Sequence, residues 1–427
     1  MNGTKHVGRV GTFVFTVGLG AALAVATAEE ASAKPNSDTS SSTSASSTDS
    51  TSSSSRDSKS STGSKSSDHS PNLSVSTNGE LRVQKGNATS TSEGTGSVAI
   101  AHGDGSAATA TGGDHNKAQV NGDNSTAVAG STPDAGTGGS RNTARVNGDD
   151  STARAGDGDG NTATAIGDSS FADATVGNGN TSTVIGDGSQ ALTGGTATTG
   201  AGDNNTATVT GDNSIAVAGF GDSNTATVTG GDSIALAEGD GNTATVTGDS
   251  SFADASFGDN NTATVTGDNS EAITAGSDNT TATVTGNNSE ALANGSDNST
   301  ATVTGNNSSA FVDFGDSNTA TVTGNSSIAA AEGDDNSATV TGNNSEAFAG
   351  DGDDNSATVT GNNSLADAGF GDSNTAAVTG NNSVAFAGDG DDNSATVTGD
   401  SSEAFATAPT GCSASANGDA QSTSCPS

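Results

Sequence analysis

The sequence predicts an all-β protein: a parallel β-solenoid (β-helix or β-roll) of 19-residue coils, preceded by a disordered Ser/Thr-rich segment. Three observations predict it. The phrase NTATVTG returns down the chain, and the Val of its TVT recurs from Val209 to Val397 in steps of 19 residues, two of them 18. Each repeat holds two short runs of alternating small apolar and polar residues, separated by Gly, Asp, Asn and Ser, which reads as strand, turn, strand, turn. The composition, 29% hydrophobic and 3% aromatic with no Trp or Tyr, cannot fill an ordinary globular core. It can line a thin one repeated many times.

The first element is residues 1–33, which read as a signal peptide. Lys5, His6 and Arg9 precede an apolar run from Thr12 to Ala28, and Ala31-Ser32-Ala33 supplies the small-x-small pattern for cleavage after Ala33. Through HVGRVGTFVFTVGLGAALAVA this segment resembles the export signals of secreted proteins from high-GC Gram-positive bacteria. The resemblance implies a secreted, extracellular or cell-wall-associated protein with no integral membrane segment once the signal is removed. Residues 34–96, with runs such as SSSTSASSTDSTSSSSRDSKSSTGSKSS, have almost nothing apolar to bury. They read as a disordered linker or a glycosylated stalk.

The repeats follow. Val120, Val146, Ala165 and Val184 mark irregular coils over 97–200, separated by 19 or by 25 to 26 residues, and strict repeats occupy 201–406. In NTATVTG, Ala226 and Val228 alternate with threonines; in SIALAEG, Ala235 and Ala237 alternate with Ile234 and Leu236. The position seven after each anchor is Ala in every strict copy, from Ala216 to Ala404, whereas the position before it accepts Glu271, Glu290, Glu346 and Glu403. A buried unpaired Glu is expensive, so the Ala positions and the Ala/Val pair face inward. Runs this short and this rich in Thr and Gly do not support helix.

Two different outer faces result. One carries Thr at three alternating positions, as in Thr206, Thr208 and Thr210. This lattice suits strands on propensity alone, and it also resembles the flat face of ice-binding β-solenoids. The other face carries Val217, Leu236, Ile273, Leu292, Phe311, Phe348, Phe386 and Phe405 in one column, broken by Asp254 and Asp367. Apolar stripes on a polar surface mark interfaces.

A column of carboxylates stands six residues before each anchor: Asp203, Asp222, Asp240, Asp259, Asp278, Asp297, Asp316, Asp334, Asp353, Asp372 and Asp391. No Lys or Arg follows Arg154. Like charges stacked one coil apart must be relieved, either by turns in which each Asp accepts backbone N–H bonds or by bound Ca²⁺. The spacing departs from the nonapeptide of calcium-binding β-rolls. The formal charge of −38 argues against nucleic acid and anionic membranes as partners.

Catalysis has little to work with. His6, His69, His102 and His115 all precede the strict repeats, and no nucleophile, phosphate-loop or paired-acid pattern appears. Cys412 and Cys425 lie beyond the last strict repeat and should pair in an exported chain, making residues 407–427 a disulfide-closed cap.

GTGSVAIAHGDGSAATATGG and the NNSxAxA units resemble head repeats of trimeric autotransporter adhesins, and GDNNTATVTG resembles curli-type amyloid subunits. The period of 19 differs from the first family, and Gly replaces the inward Gln of the second. Both resemblances imply a non-enzymatic surface role. The expectation is a secreted or wall-associated structural or adhesive protein that self-associates or coats a cell-wall or host surface. Ice binding through the Thr face, or a Ca²⁺-binding matrix or biofilm fibre, are the alternatives.

Overall fold

The computed structural model describes residues 72–131, 138–194 and 202–425. The expected signal peptide with its cleavage site at Ala33, and the stalk up to residue 71, lie outside these residues. Within them the chain is a parallel β-solenoid of about 17 coils and 37 strands, with no helix. Each coil contributes one strand to each of two sheets. Sheet A has 19 strands and includes every TATVT run, as in Thr206–Thr210, Thr225–Thr229 and Thr243–Thr247. Sheet B has 18, including Ile215–Gly219 and Ile234–Glu238, and runs linearly from Thr89–Ser92 to Ser422–Ser424.

Register is kept residue for residue. Ala207 pairs with Ala226 and Val209 with Val228 in sheet A, while Ala216 pairs with Ala235 in sheet B. The period-two alternation fixes which residues point inward, and a one-residue slip would turn every Thr into the core. Asn205, Ala207, Val209, Ser214, Ala216 and Ala218 of one coil are all fully buried. The core is therefore a two-sided column of Ala and Val, closed at both corners by a polar residue. Per coil it contributes only a few kcal/mol, about 2–4 on an area basis, and the solenoid depends on the sum over coils.

Corners need backbone that turns sharply. Asn204 (φ 60°) and Asn213 (φ 54°) take the left-handed conformation that Asn tolerates better than most residues. At the second corner stands a Gly in every strict coil. Gly267, at φ 144°, approaches the next coil so closely that a Cβ there would collide with the carbonyl of Gly286.

Both ends depart from expectation. The stalk was expected to reach residue 96, but three strands already occupy part of it: β1 (Leu73–Thr77), β2 (Glu80–Lys85) and β3 (Thr89–Ser92). β1 lies antiparallel on β4 (Val98–His102) at the end of sheet A and makes a hairpin with β2 through Asn78 and Gly79, both at positive φ. Its inward residues are Ser74 and Ser76, bonded to Ser90 and Ser92 at 2.7 Å, so it buries hydroxyls where the other strands bury Ala. β2 is the outermost strand, exposed and charged, with Arg82 on Glu80 at 2.6 Å. A charged edge strand discourages end-on pairing.

At the other end, the expected cap over 407–427 is, in its described part to residue 425, not a separate lid. Ser413–Asn417 and Ser422–Ser424 extend both sheets in register as one more coil. The alternation of SASAN explains it, with Ala414 and Ala416 in the core. The Cys412–Cys425 disulfide, with Cα atoms 6.3 Å apart, ties the two sides of this last coil together.

Candidate interaction surfaces

The Thr face of sheet A is built as its spacing implied. From Thr206–Thr210 to Ser394–Thr398 the columns stack in register, with Ser at the first position in three strands and Ala377 as one gap in the second column. Hydroxyls and methyls therefore repeat at ~4.8 Å between coils and ~6.7 Å along each strand. The first two Thr columns are mostly half-buried by their neighbours and the third is exposed.

Sheet B presents the apolar column. Val217, Leu236, Ile273, Leu292, Phe311, Phe348, Phe386 and Phe405 all point outward, each half-buried against the stacked residue above and below. Carboxylates interrupt and flank them. Burial, and then Asp254, push Glu238 up to about 7; burial, and then Asp351, push Asp367 up to about 6. Burial likewise raises Asp254, Glu271, Glu290, Asp313 and Glu332, and an Oδ1 of Asp254 has no hydrogen-bond partner. Residues 155–427 hold 36 acidic residues and no Lys or Arg, so the strict coils supply no Lys or Arg of their own. Near Ala330 the small residues Gly350 and Gly369 leave a notch of ≈ 220 Å³, walled by Phe348, Phe370, Glu332 and Asp367.

A second aromatic set was missed by the sequence reading. Phe220, Phe257, Phe314 and Phe370 stand at the corner that follows sheet B and are 40%, 65%, 69% and 56% exposed. All four adopt positive φ, between 52° and 61°. Gly276 and Gly295 fill the same place in other coils without strain. For a bulky residue this conformation costs about 1–2 kcal/mol, and here no burial offsets it within the molecule. The recurring triplet Phe-Gly-Asp was the available signal. It falls between the alternating runs, where a search for strands does not look.

The Asp column has a structural use. The backbone N–H of Asp203 donates to Oδ1 of Asp222 at 2.8 Å, that of Asp222 to Asp240 at 2.8 Å, and so on to Asp372 donating to Asp391 at 3.1 Å. Asp259, Asp278, Asp297, Asp316, Asp334 and Asp353 all belong to this ladder. Among the described residues no three His, Cys, Asp or Glu side chains converge as a metal site would require. The opposite corner has an equivalent ladder in which Asn replaces Asp from Asn287 to Asn381, which removes charge from that stretch.

Inside each exposed ladder runs a buried one of opposite sense. The N–H of Asn224 donates back to Oδ1 of Asn205 at 2.8 Å, and Nδ2 of Asn205 donates forward to the carbonyl of Gly221 at 2.8 Å. Ser214 and Ser233 repeat the arrangement at the other corner. Adjacent coils are thus laced in both directions at both corners. No family model matches this chain, and no curated protein matches it.

Proposed function

We propose that the chain is an exported, non-enzymatic structural or adhesive protein, associating with copies of itself, and through them coating a cell wall or host surface, by the outer side of sheet B. The corner phenylalanines carry this reading. Phe220, Phe257, Phe314 and Phe370 sit in strained backbone yet remain exposed, beside a half-buried apolar column. Strain of this kind persists where it serves a function, and an exposed apolar band on so acidic a surface fits a contact partner better than water. A fully buried Phe contributes about 1.5–3 kcal/mol relative to an exposed one. Changing Phe348, Phe386 and Phe405 to Ser leaves the Ala/Val core untouched. The expected outcome is unchanged β-sheet circular dichroism with dissociation into monomers and loss of surface attachment. A wild-type protein that sediments as a monomer at micromolar concentration overturns the reading.

The Thr lattice favours a second reading. A flat array of Thr in register over successive coils offers evenly spaced hydroxyls and methyls, as an ice-binding face requires. Thermal hysteresis from the monomer would support it, and its absence would remove it.

A further inference from the structure

Resting on the reading that sheet B mates with a second copy, we infer that the two copies lie antiparallel and fully overlapped, so that Arg154 of each faces Asp367 of the other. The argument starts from strand order. Sheet B has 18 strands. Turned end for end about a two-fold axis along the strands, its fourth strand, Thr152–Gly156, meets the fifteenth, Leu365–Gly369.

Arg154 is the one Lys or Arg on the described strands of sheet B; it lies over the Phe171 ring at 5.5 Å and stands in register beside Asp173 of the next strand. Asp367 occupies the same outward column eleven strands away, about 50 Å along its own solenoid at ~4.8 Å per coil. Neither can reach the other within one chain.

Sizes match as charges do. In this alignment Thr109 meets Phe405, and Val128 meets Phe386. Leu192 meets Ala330, the floor of the notch beside Asp367, which is thus filled from across the interface. At the corner, Phe220 of the seventh coil meets Phe314 of the twelfth. This contact gives two of the strained, exposed rings an apolar partner.

The parallel alternative does the reverse. Every column residue would then face itself, setting Asp254 on Asp254 and Asp367 on Asp367, and like charges directly opposed across an interface disfavour association. The antiparallel alignment also sets Glu271, Glu290 and Glu346 against Phe252, Ile234 and Phe171, with Asp173, Glu238 and Asp254 the other acids on those strands.

Cysteine cross-linking tests the alignment in the full chain, with Cys412 and Cys425 left paired. Thr111 and Thr407 end the second and seventeenth strands of sheet B and face each other only in the antiparallel pair. Thr111→Cys mixed with Thr407→Cys should give cross-linked heterodimers, and neither variant alone should cross-link. Within one chain the two positions lie about 70 Å apart, so an intramolecular bond cannot mimic the result. Arg154→Asp should weaken association about tenfold, and mixing it with Asp367→Arg should restore it. Cross-linking of Thr407→Cys to itself overturns the alignment while leaving self-association standing. So does a sedimenting dimer with no 111–407 bond. Monomers throughout overturn both.

Discussion

Replacing Asn161 by Ala tests whether the buried Asn ladder holds the coils together. Asn161 is fully buried, and its Oδ1 accepts the N–H of Asn180 at 2.9 Å. Its Nδ2 donates to the carbonyls of Gly156 at 3.0 Å and Gly177 at 2.8 Å. Removing the side chain leaves one buried N–H without an acceptor and takes a donor from two carbonyls. An unsatisfied buried group costs about 1–3 kcal/mol, so a loss of about 2–4 kcal/mol is expected, with one N–H as the dominant part. Asp159 is the control two residues away. Its Oδ1 accepts the N–H of Ser140 at 2.7 Å, but it is exposed, water can replace it, and Asp159→Ala should cost under about 1 kcal/mol. Asn161→Ser should recover part of the loss, because Ser299 holds the same ladder position elsewhere and accepts the N–H of Asn318 at 3.0 Å. Denaturant melts give the difference in stability, and hydrogen exchange at the Asn180 amide locates it. Equal destabilisation by Asn161→Ala and Asp159→Ala, or an unchanged exchange rate at Asn180, would refute the reasoning.

Glu238 and Asp367 hold their protons up to about 7 and about 6, above ordinary carboxylates, so the fold gains stability as pH falls through this window and loses it as pH rises. The thermal midpoint should be higher at about pH 5 than at about pH 8, and a flat or rising profile between them contradicts the assignment. Replacing Cys412 and Cys425 by Ser frees the two sides of the last coil. Raw strand edges there should then promote end-to-end association, seen as growth in light scattering, and unchanged monodispersity would count against it.

What the sequence made legible was whatever repeats with a period of two. The Ala and Val of each strand face the core because alternation leaves no other choice, and the outward Thr and apolar columns follow from the same pattern. The start of the solenoid was not legible, since β1 places Ser74 and Ser76 inward and looks like the Ser-rich stretch before it. The last coil was misread for a similar reason: only Ala414 and Ala416 mark SASAN as core-forming. The exposed rings of Phe220, Phe257, Phe314 and Phe370 belong to corners, where orientation is set by φ and not by alternation. The Asp column and its use as an acceptor of backbone N–H groups were visible, but which N–H was not: one a coil away can be assigned only when the register between coils is known.

The two corners also differ in what they permit. From sheet A to sheet B the chain always takes the same number of steps, so that Val120 and Ala127, Val184 and Ala191, and Val397 and Ala404 are each seven apart. From sheet B back to sheet A the count varies. Coils lose a residue before Asp240 and before Asp334, and longer connections join Gly130 to Thr143 and Thr193 to Thr206. All length variation is thus gathered along one margin of the column, the margin that bears the exposed rings. A foreign loop or tag grafted there meets no fixed count, whereas one inserted at the opposite corner shifts both sheets out of step. The solenoid is in effect a ruler with one graduated edge and one blank edge, and new text can be written only on the blank one.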